Sequence, residues 1–475
     1  MKKIRKIHFT GIKGVGMTPL AIIAHEAGIS VTGSDVEDEF ITGASLKKVE
    51  INPLVGFAAE DIGDPDLLIT TGAHGGLNNL QAQEAVRRKI PVWTQGQAVG
   101  EFMKGEIFEK EYRGISVAGS HGKTTTTAII ATIFKECNLD PSYVIGTSEI
   151  LSLGLSGHLG SGKYFIAEAD EYATDPEHDK RPKFIWQKPQ VEVITNIELD
   201  HPDLYKNVEA LVQDFKSFVG NLDKNGSLII CFDDEQNRKI IKEVSNIRNI
   251  ITYGFSPMSD YVISRFRQDG EDMYFWINHK GTTLGEFSVG LSGEFNALNA
   301  LAGVITGVES GLPVDKIQTA LQKYKGSKRR FEYVGRLSSG AFVYDDYAHH
   351  PTEISKTLKA FHESFKDKKI VCVFQPHTYS RTKTLLEDFA TAFSYADIVV
   401  ITDIYSSLRE IKDDTVSSQI LVKKMSPIHN GVVYASGLSD VVKYISHKNY
   451  NEDYIVVTMG AGDIYKIKDN LDLVK

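Results

Sequence analysis

The sequence of 475 residues contains only three cysteines and 14 prolines, and it has no long apolar run. Cys137, Cys231 and Cys372 are far apart and form no CxxC pair, which excludes a disulfide framework and a cysteine-based zinc site. No stretch of 18 apolar residues occurs, so the sequence predicts no membrane-spanning helix. The basic start of the chain is not followed by an apolar segment, so no signal peptide is expected. These absences favour a cytoplasmic protein.

The chain also has fewer basic than acidic side chains. The chain carries 53 Lys and Arg residues against 62 Asp and Glu residues, a formal net charge of -9. A nucleic-acid-binding surface usually shows a basic excess, so nucleic acid is not expected as a partner. The hydrophobic share of 42% excludes bulk disorder. Any anionic ligand therefore needs a local positive site on an acidic protein.

The chain is predicted to fold as three α/β domains, comprising residues 1–108, 109–326 and 327–475. Short apolar strands alternate with helical patterns, which indicates parallel sheets covered by helices. A charged linker at residues 104–113 and a basic cluster at residues 325–330 interrupt the pattern. We expect a Rossmann-like N-terminal domain, a central P-loop ATPase-type domain and a Rossmann-like C-terminal domain.

The central domain begins with a pattern typical of a phosphate-binding loop. The residues Val117-Ala-Gly-Ser-His-Gly-Lys-Thr-Thr-Thr126 join a predicted strand to a predicted helix. Glycines let backbone N–H groups approach phosphate oxygens, and the N-terminus of a helix favours negative charge. Lys123 can reach the β and γ phosphates, and the Thr124 hydroxyl can bind Mg²⁺. The pattern departs from GxxxxGK[ST] at Val117, and the alternative is an ordinary turn with a surface lysine.

Two further predicted strands of this domain end in acidic residues. One runs into Glu168-Ala-Asp-Glu171, and the other into Asp200-His201. Ligands bind at the carboxyl ends of parallel strands, where the phosphate loop also lies. Glu168 and His201 are therefore predicted to meet Mg²⁺, although both could instead be helix caps.

The N-terminal motif Gly11-Ile-Lys-Gly14-Val-Gly16-Met17 resembles a dinucleotide-binding turn. Asp35 follows about 20 residues later, as in that fingerprint. However, Pro19 occupies the place of the third glycine, so the motif favours a phosphate-bearing ligand without specifying NAD. A nicotinamide oxidoreductase is one alternative function, but it leaves the GSHGKT loop unexplained.

The C-terminal third carries three polar clusters directly after apolar strands. These are Tyr344-Asp-Asp-Tyr-Ala-His-His-Pro-Thr-Glu353, Phe374-Gln-Pro-His-Thr-Tyr-Ser-Arg-Thr382 and Gly460-Ala-Gly-Asp463. The neighbouring His349 and His350 do not by themselves indicate zinc, because adjacent side chains rarely point to one centre. Their position after strands favours a functional role over simple helix capping.

Taken in order, these motifs resemble those of the Mur ligase superfamily, the ATP-dependent amide-bond-forming enzymes of peptidoglycan synthesis. The resemblance covers essentially the whole chain. Each segment is weak evidence alone, but the ordered set is specific. The matching segments are HFTGIKGVGM, GSHGKTTTT, AEADEY, TNIELDHPD, the helix start at Asn296–Asn299, KRRFE, DDYAHHPTEI, FQPHTYSRT, DIYSSLRE and MGAGDIY.

The resemblance implies a role for each domain. The first would hold the UDP part of a sugar nucleotide through Gly11, Gly14, Gly16, Met17, Ser34 and Asp35. ATP would bind Gly119, Ser120, His121, Gly122, Lys123, Thr124, Thr125, Asn296, Asn299, Arg330 and Asp345. Mg²⁺ would bind Thr124, Glu168 and His201. The amino acid would enter at Tyr347, His349 and Arg381, and the catalytic set would be Lys123, His201, His349 and Arg381.

The implied reaction joins L-alanine to the carboxylate of UDP-N-acetylmuramate through an acyl phosphate, with a monomer or weak homodimer as the expected state. Residues 179–184 look closer to the branch that adds a whole L-Ala-γ-D-Glu-diaminopimelate tripeptide, so that acceptor is the alternative. Thr378 also departs from relatives that have Arg there, which removes one expected cation. A nucleotide-regulated binding protein without ligase activity is a third possibility, disfavoured by the full set of acidic strand ends.

Overall fold

The computed structural model describes residues 3–244, 247–406, 410 and 412–474. The predicted fold class is confirmed: three α/β units follow one another along the chain, each built on its own sheet. Among the described residues, no helix is both long and apolar enough to cross a membrane.

The N-terminal unit is a five-stranded parallel sheet in the order β3-β2-β1-β4-β5, the arrangement of a Rossmann-like half. Its 3₁₀ turns lie at Ala59–Ile62, Gly76–Asn78 and Glu106–Phe108. The elements are β1 (Lys6–Thr10), α1 (Thr18–Glu26), β2 (Ser30–Asp35), α2 (Gly43–Lys48), β3 (Leu54–Val55), β4 (Leu67–Thr70), α3 (Leu80–Arg87), β5 (Val92–Thr94) and α4 (Gln95–Lys104).

The central unit is a ten-stranded sheet in the order β17-β16-β15-β14-β13-β12-β6-β9-β7-β8, with a separate hairpin β10–β11. A 3₁₀ turn lies at Lys183–Trp186. The elements are β6 (Arg113–Ala118), α5 (Lys123–Glu136), β7 (Ser142–Val144), β8 (Gly157–His158), β9 (Tyr164–Ala169), β10 (Ala173–Asp175), β11 (Asp179–Pro182), β12 (Val191–Ile194), α6 (Val208–Val219), β13 (Ser227–Cys231), α7 (Glu235–Glu243), β14 (Asn249–Gly254), β15 (Tyr261–Asp269), β16 (Asp272–His279), β17 (Thr282–Val289), α8 (Glu294–Glu309) and α9 (Val314–Leu321).

The C-terminal unit is a seven-stranded sheet in the order β22-β21-β20-β23-β19-β18-β24, in which β18 runs antiparallel to both of its neighbours. A 3₁₀ segment lies at Ile464–Asn470. The elements are β18 (Glu332–Leu337), β19 (Phe342–Asp346), α10 (Pro351–Ser364), β20 (Lys369–Phe374), α11 (Tyr379–Thr384), α12 (Leu386–Thr391), β21 (Ile398–Ile401), α13 (Ser418–Met425), β22 (Val432–Tyr434), α14 (Gly437–Lys448), β23 (Tyr454–Met459) and β24 (Leu473–Val474).

The phosphate-loop helix α5 is fixed by close packing against α8. Both helices are buried over most of their length, as expected for helices between a sheet and a neighbouring helix. Gly303 on α8 allows the approach, because a Cβ atom there would lie 2.6 Å from Cγ2 of Ile129. A rigid helix pair therefore supports the loop that precedes α5.

Direct contacts join the three units. Between the first two, the Leu77 N–H donates to Asp175 Oδ2 at 2.8 Å. Between the second and third, Lys359 forms a 3.0 Å ion pair with Glu294, and the Tyr344 hydroxyl donates to Glu271. The clefts between units are thus held at defined positions, and the polar strand ends of the central and C-terminal sheets face one another.

Candidate functional site

The predicted phosphate loop lies between β6 and α5. Gly119 has φ 132° and Gly122 has φ 86°, conformations that favour glycine. A Cβ atom on Gly119 would lie 2.0 Å from Oγ1 of Thr195, so a side chain there would collide with the neighbouring strand end. The α5 helix begins at Lys123 itself, which places the lysine beside the loop at a helix N-terminus.

Lys123 is held over this loop by acceptors on both sides. Its Nζ donates to the carbonyl oxygens of Gly119 at 2.6 Å and Ser120 at 3.1 Å, and it forms a 2.9 Å ion pair with Glu171. Burial disfavours the charged amine, but Glu171 and Asp170 outweigh that cost and raise the pKa of Lys123. The loop therefore carries a fixed positive charge, balanced by a buried carboxylate.

The predicted metal ligands fall into two groups. The Glu168 carboxylate accepts a hydrogen bond from the Gly146 N–H at 2.7 Å and one from the Thr124 hydroxyl. His201 belongs instead to a cluster with Glu171 and Asp200, in which one ligand atom from each residue lies within 4.8 Å of the others.

Glu171 is a member of this cluster that sequence reasoning did not select. Glu168 lies inside strand β9, whereas Glu171 follows the strand end and reaches the phosphate loop. Both glutamates of this segment therefore contact the start of α5, Glu168 through Thr124 and Glu171 through Lys123. Carboxylate oxygens suit Mg²⁺, so the donor set of Glu171 and Asp200 fits that ion.

Asp200 connects this cluster to the C-terminal domain. Its Oδ1 accepts hydrogen bonds from Nε of Arg381 at 3.0 Å and from Nη2 at 2.7 Å. Its Oδ2 lies 3.9 Å from Nε2 of His349 and 3.7 Å from Nε2 of His201. Three of the four predicted catalytic residues thus surround one buried carboxylate, and Arg381 is already paired within the protein.

His349 is a buried member of this group whose protonation state follows from its surroundings. Burial is the largest influence and lowers its pKa to about 4, so the imidazole is neutral at pH 7. Nδ1 lies 3.1 Å from the carbonyl oxygen of Tyr347, which favours a proton on Nδ1 and a free lone pair on Nε2. The Tyr347 ring lies 5.3 Å from the His349 ring, so these two predicted amino-acid-binding residues are adjacent.

His121 of the phosphate loop bridges two carboxylates from different domains. Its Nε2 lies 3.0 Å from Glu198 Oε2, and its Nδ1 lies 3.1 Å from Glu353 Oε1. Burial alone would disfavour the imidazolium, but the two glutamates outweigh it and raise the pKa of His121 to about 9. Neither glutamate was selected from the sequence. The His350-x-x-Glu353 capping box before α10 was the available signal for Glu353.

A cavity of about 250 Å³ opens beside the phosphate loop, between the central and C-terminal domains. The predicted ATP-binding residues Asn296, Asn299 and Arg330 line it, with apolar surface from Phe295 and Phe331. Its polar lining also includes His121, Gly122, Thr125, Thr195, Asn196, Asp233, Asp234, Asp346, Glu353, Lys356 and Thr357. The shape and mixed lining suit a base and a ribose next to the phosphate loop.

Of the two neighbouring aspartates, Asp346 lines the cavity, whereas Asp345, which was predicted to bind ATP, is not among the lining residues. Successive residues of a strand point to opposite faces, and both lie at the end of β19. The Asp345 carboxylate accepts hydrogen bonds from Nε of Arg329 at 2.9 Å and from the Thr458 hydroxyl at 2.6 Å, so it is a buried structural group. Arg330, which lines the cavity, has its guanidinium 5.0 Å from the Tyr347 ring.

The residues of the N-terminal glycine loop differ in their exposure. The strand β2 extends to Asp35, and the side chains of Met17, Ser34 and Asp35 are at most 1% exposed. Asp35 Oδ2 accepts a hydrogen bond from the Lys13 N–H at 2.7 Å, so this carboxylate holds the backbone of the loop in position. Residues 13–16 of the loop, among them Gly14 and Gly16, are partly exposed. Of the motif DIYSSLRE, Ser407, Leu408 and Arg409 lie outside the described residues.

The fold and the site together define a three-domain nucleotide-binding enzyme in which a phosphate loop faces polar strand ends of a C-terminal domain. Three descriptions of one family match the chain: "Mur ligase family, catalytic domain" over residues 6–106, "Mur ligase middle domain" over 117–307 and "Mur ligase, glutamate ligase domain" over 329–462. The chain belongs to the Mur ligase family.

Full-length relatives and solved structures agree with this membership. The chain is 39% identical to the UDP-N-acetylmuramate–L-alanine ligase of Desulfitobacterium hafniense strain Y51, over 98% of this chain and 99% of the relative. The structure resembles the UDP-N-acetylmuramate-alanine ligase of Thermotoga maritima with a TM-score of 0.80, 26% identity and coverage of 98% and 97%. A murein peptide ligase from Psychrobacter arcticus shares the fold, with a TM-score of 0.71, 23% identity and 98% coverage of both chains.

Proposed function

We propose that this protein is an ATP-dependent ligase that joins L-alanine to the carboxylate of UDP-N-acetylmuramate. The observation that carries the proposal is the position of Asp200. One buried carboxylate contacts His201 of the phosphate-loop side and Arg381 of the C-terminal side, with His349 beside it. The full-length similarity to ligases of this name supports the choice of substrates.

In this proposal the cavity lined by Asn296, Asn299, Arg330 and Asp346 takes the adenosine of ATP, and the phosphates extend over the loop to Lys123. The partly exposed backbone at Gly14 and Gly16 takes the UDP part. Thr124, Glu171, Asp200 and His201 would hold Mg²⁺, with Glu168 positioning Thr124. When bound, the ion would neutralise charge on the phosphate oxygens.

The chemistry must overcome repulsion between two anions. Transfer of the γ-phosphoryl group to the muramoyl carboxylate breaks the bond to ADP and forms an acyl phosphate. Two unit charges 4 Å apart repel by roughly 4 kcal/mol at an effective dielectric of about 20. Lys123 is placed to offset that repulsion, because its ammonium is charged and already lies against the loop.

The second step forms the amide bond. The amine of alanine attacks the acyl carbon, and phosphate leaves from a tetrahedral intermediate. The neutral Nε2 of His349 has a free lone pair and can accept a hydrogen bond from the incoming amine, which orients the amine towards the acyl carbon. A pKa of about 4 makes this imidazole too weak a base to deprotonate an ammonium group, so alanine reacts as the free amine and the departing phosphate takes up the proton that the nitrogen loses. The ion pair between Asp200 and Arg381 lies beside this imidazole, with Asp200 Oδ2 3.9 Å from Nε2 of His349.

Phosphate release from Mg·ATP tests the function. We expect purified protein to release phosphate only when UDP-N-acetylmuramate and L-alanine are both present. Equal turnover without the sugar nucleotide would contradict the proposal. Activity with the L-Ala-γ-D-Glu-diaminopimelate tripeptide and none with L-alanine would instead identify the alternative ligase.

A lysine exchange tests the assignment of the phosphate loop. Lys123→Ala should lower turnover by at least about 100-fold, because a preorganised charge at the transferred group is lost. Binding of UDP-N-acetylmuramate, measured by titration calorimetry, should be nearly unchanged. Lys135→Ala, at the exposed end of the same helix, is the matched control. Equal loss of sugar-nucleotide binding in Lys123→Ala would contradict separate sites.

A further inference from the structure

Glu353 uses its two carboxylate oxygens for two different parts of the site. Oε1 lies 3.1 Å from Nδ1 of His121 in the phosphate loop. Oε2 accepts hydrogen bonds from the backbone N–H groups of His349 at 3.1 Å and His350 at 3.3 Å. The side chain is 12% exposed, so water competes little for either oxygen. One carboxylate therefore touches both the nucleotide loop and the segment that carries His349.

Helix capping explains only half of this arrangement. In a capping box, the glutamate of the first turn accepts from the backbone N–H of the capping residue, as Oε2 does here. That role needs neither the partner across the domain boundary nor a charged imidazole. Oε1 instead faces His121, which lies in the loop before α5 and is 232 positions away in sequence.

A second carboxylate repeats the link between the same two segments. Glu198 Oε2 lies 3.0 Å from Nε2 of His121, and its Oε1 accepts a hydrogen bond from the Thr352 hydroxyl at 2.5 Å. The phosphate loop is therefore joined to the start of α10 directly through Glu353 and indirectly through Glu198. A shift of His121 moves the groups that hold the backbone at residues 349–353.

We propose that Glu353 is a positioning residue that couples occupancy of the phosphate loop to binding of the amino acid acceptor. The inference rests on the proposed function, since it requires ATP at the loop and an acceptor beside His349. ATP that orders the loop also fixes His121, and through Glu353 it fixes the backbone of the acceptor segment. Because coupling between two ligands is reciprocal, the acceptor must tighten nucleotide binding by the same factor.

Titration calorimetry of Mg·AMP-PNP measures this factor. The Kd is determined at saturating UDP-N-acetylmuramate, without and with saturating L-alanine, and the ratio of the two values is the coupling factor. We expect a ratio in the usual range of about 5- to 150-fold for the wild type. For Glu353→Gln we expect a ratio within about twofold of one, because an amide cannot accept hydrogen bonds through both of its terminal groups.

Two further variants keep the test specific. Glu363 lies on the same helix, with Oε1 3.5 Å from Nζ of the partly exposed Lys359, and Glu363→Gln should retain the wild-type ratio. His121→Gln removes the contact from the other domain without touching the cap of α10, so it gives an answer even if Glu353→Gln does not fold. It should lower the ratio as Glu353→Gln does, and the double variant should lower it no further.

The outcomes separate this inference from the proposed function. A ratio of one in the wild type, or an unchanged ratio in Glu353→Gln or His121→Gln, would overturn the coupling role. Lack of alanine-dependent phosphate release by the wild type would contradict the proposed function. Normal release together with unchanged ratios would overturn only the role of Glu353.

Discussion

The buried ion pair between Asp200 and Arg381 offers the sharpest test of how the site is held together. Both side chains are nearly inaccessible, at 6% and 5% exposure, and Oδ1 accepts two hydrogen bonds from the guanidinium. Removal of one partner from a buried pair costs about 3–5 kcal/mol, since the remaining charge is left without compensation. In Asp200→Asn the amide oxygen can still accept a hydrogen bond, so we expect a loss of about 3 kcal/mol.

Urea unfolding followed by circular dichroism measures this loss. The control is Asp440→Asn, which breaks a 3.0 Å pair with Lys443 whose side chains are 49% and 70% exposed. That variant should lose less than about 1 kcal/mol, because solvent screens surface pairs. Equal effects of the two substitutions would refute the reasoning that burial determines the strength of the Asp200 pair.

The pH dependence supplies an independent check. Burial opposes ionisation of Asp200, but Arg381 and His201 outweigh it and hold the pKa of Asp200 well below its usual value. A depressed folded-state pKa stabilises the protein above the unfolded-state value of about 3.9, and this stabilisation disappears as the pH falls below it. The difference between wild type and Asp200→Asn should therefore shrink below about pH 4. A difference that grows on acidification would contradict this account.

Three further predictions concern single side chains. The pKa of His121 is raised to about 9, so its contribution to the free energy of unfolding is complete below about pH 6.5 and lost towards pH 9. In urea unfolding, the stability advantage of wild type over His121→Gln should fall by about 3 kcal/mol over that range. Asp346→Asn should raise the KM for ATP about tenfold or more, whereas Asp345→Asn should mainly lower the thermal midpoint, because only Asp346 lines the cavity. Within the described residues, the buried Glu192 carboxyl has no hydrogen-bond partner and burial raises its pKa. Glu192→Met should stabilise the protein by about 1–3 kcal/mol at pH 8 in thermal unfolding, and by less near pH 4.5, where the unfolded carboxyl also keeps its proton.

The sequence predicted those features that depend on local pattern. The phosphate loop lies between a strand and a helix, as expected, because glycine positions and apolar periodicity define such a turn. The polar end of β2 shows the limit of this approach, since the strand continues through Ser34 to Asp35. Its last residues are polar but buried by the glycine loop, and that burial depends on the fold rather than on local pattern.

Side-chain partners across domains were beyond the reach of the sequence. Asp345 and Asp346 are chemically identical neighbours, and which of them faces the cavity depends on the twist and register of β19 against β23. Glu171 and Glu168 pose the same problem at the end of β9. Distances between residues 121 and 353 or 200 and 381 follow only from how the domains pack. Motifs thus select segments of the chain, while the packing of the domains decides which side chain of each segment faces the cavity or the acidic cluster.

The pairing of each cation explains how an acidic protein can hold two anionic substrates. Lys123 is paired with Glu171 and Arg381 with Asp200, so their charges are compensated while the site is free of ligand. Binding of a phosphate group to Lys123 would leave Glu171 beside more negative charge, unless a divalent cation joins the two. We therefore expect the carboxylates that hold the cations in place to be the groups that make nucleotide binding depend on a divalent cation. Nucleotide affinity should consequently depend steeply on Mg²⁺, even though the protein supplies a lysine at the phosphate loop.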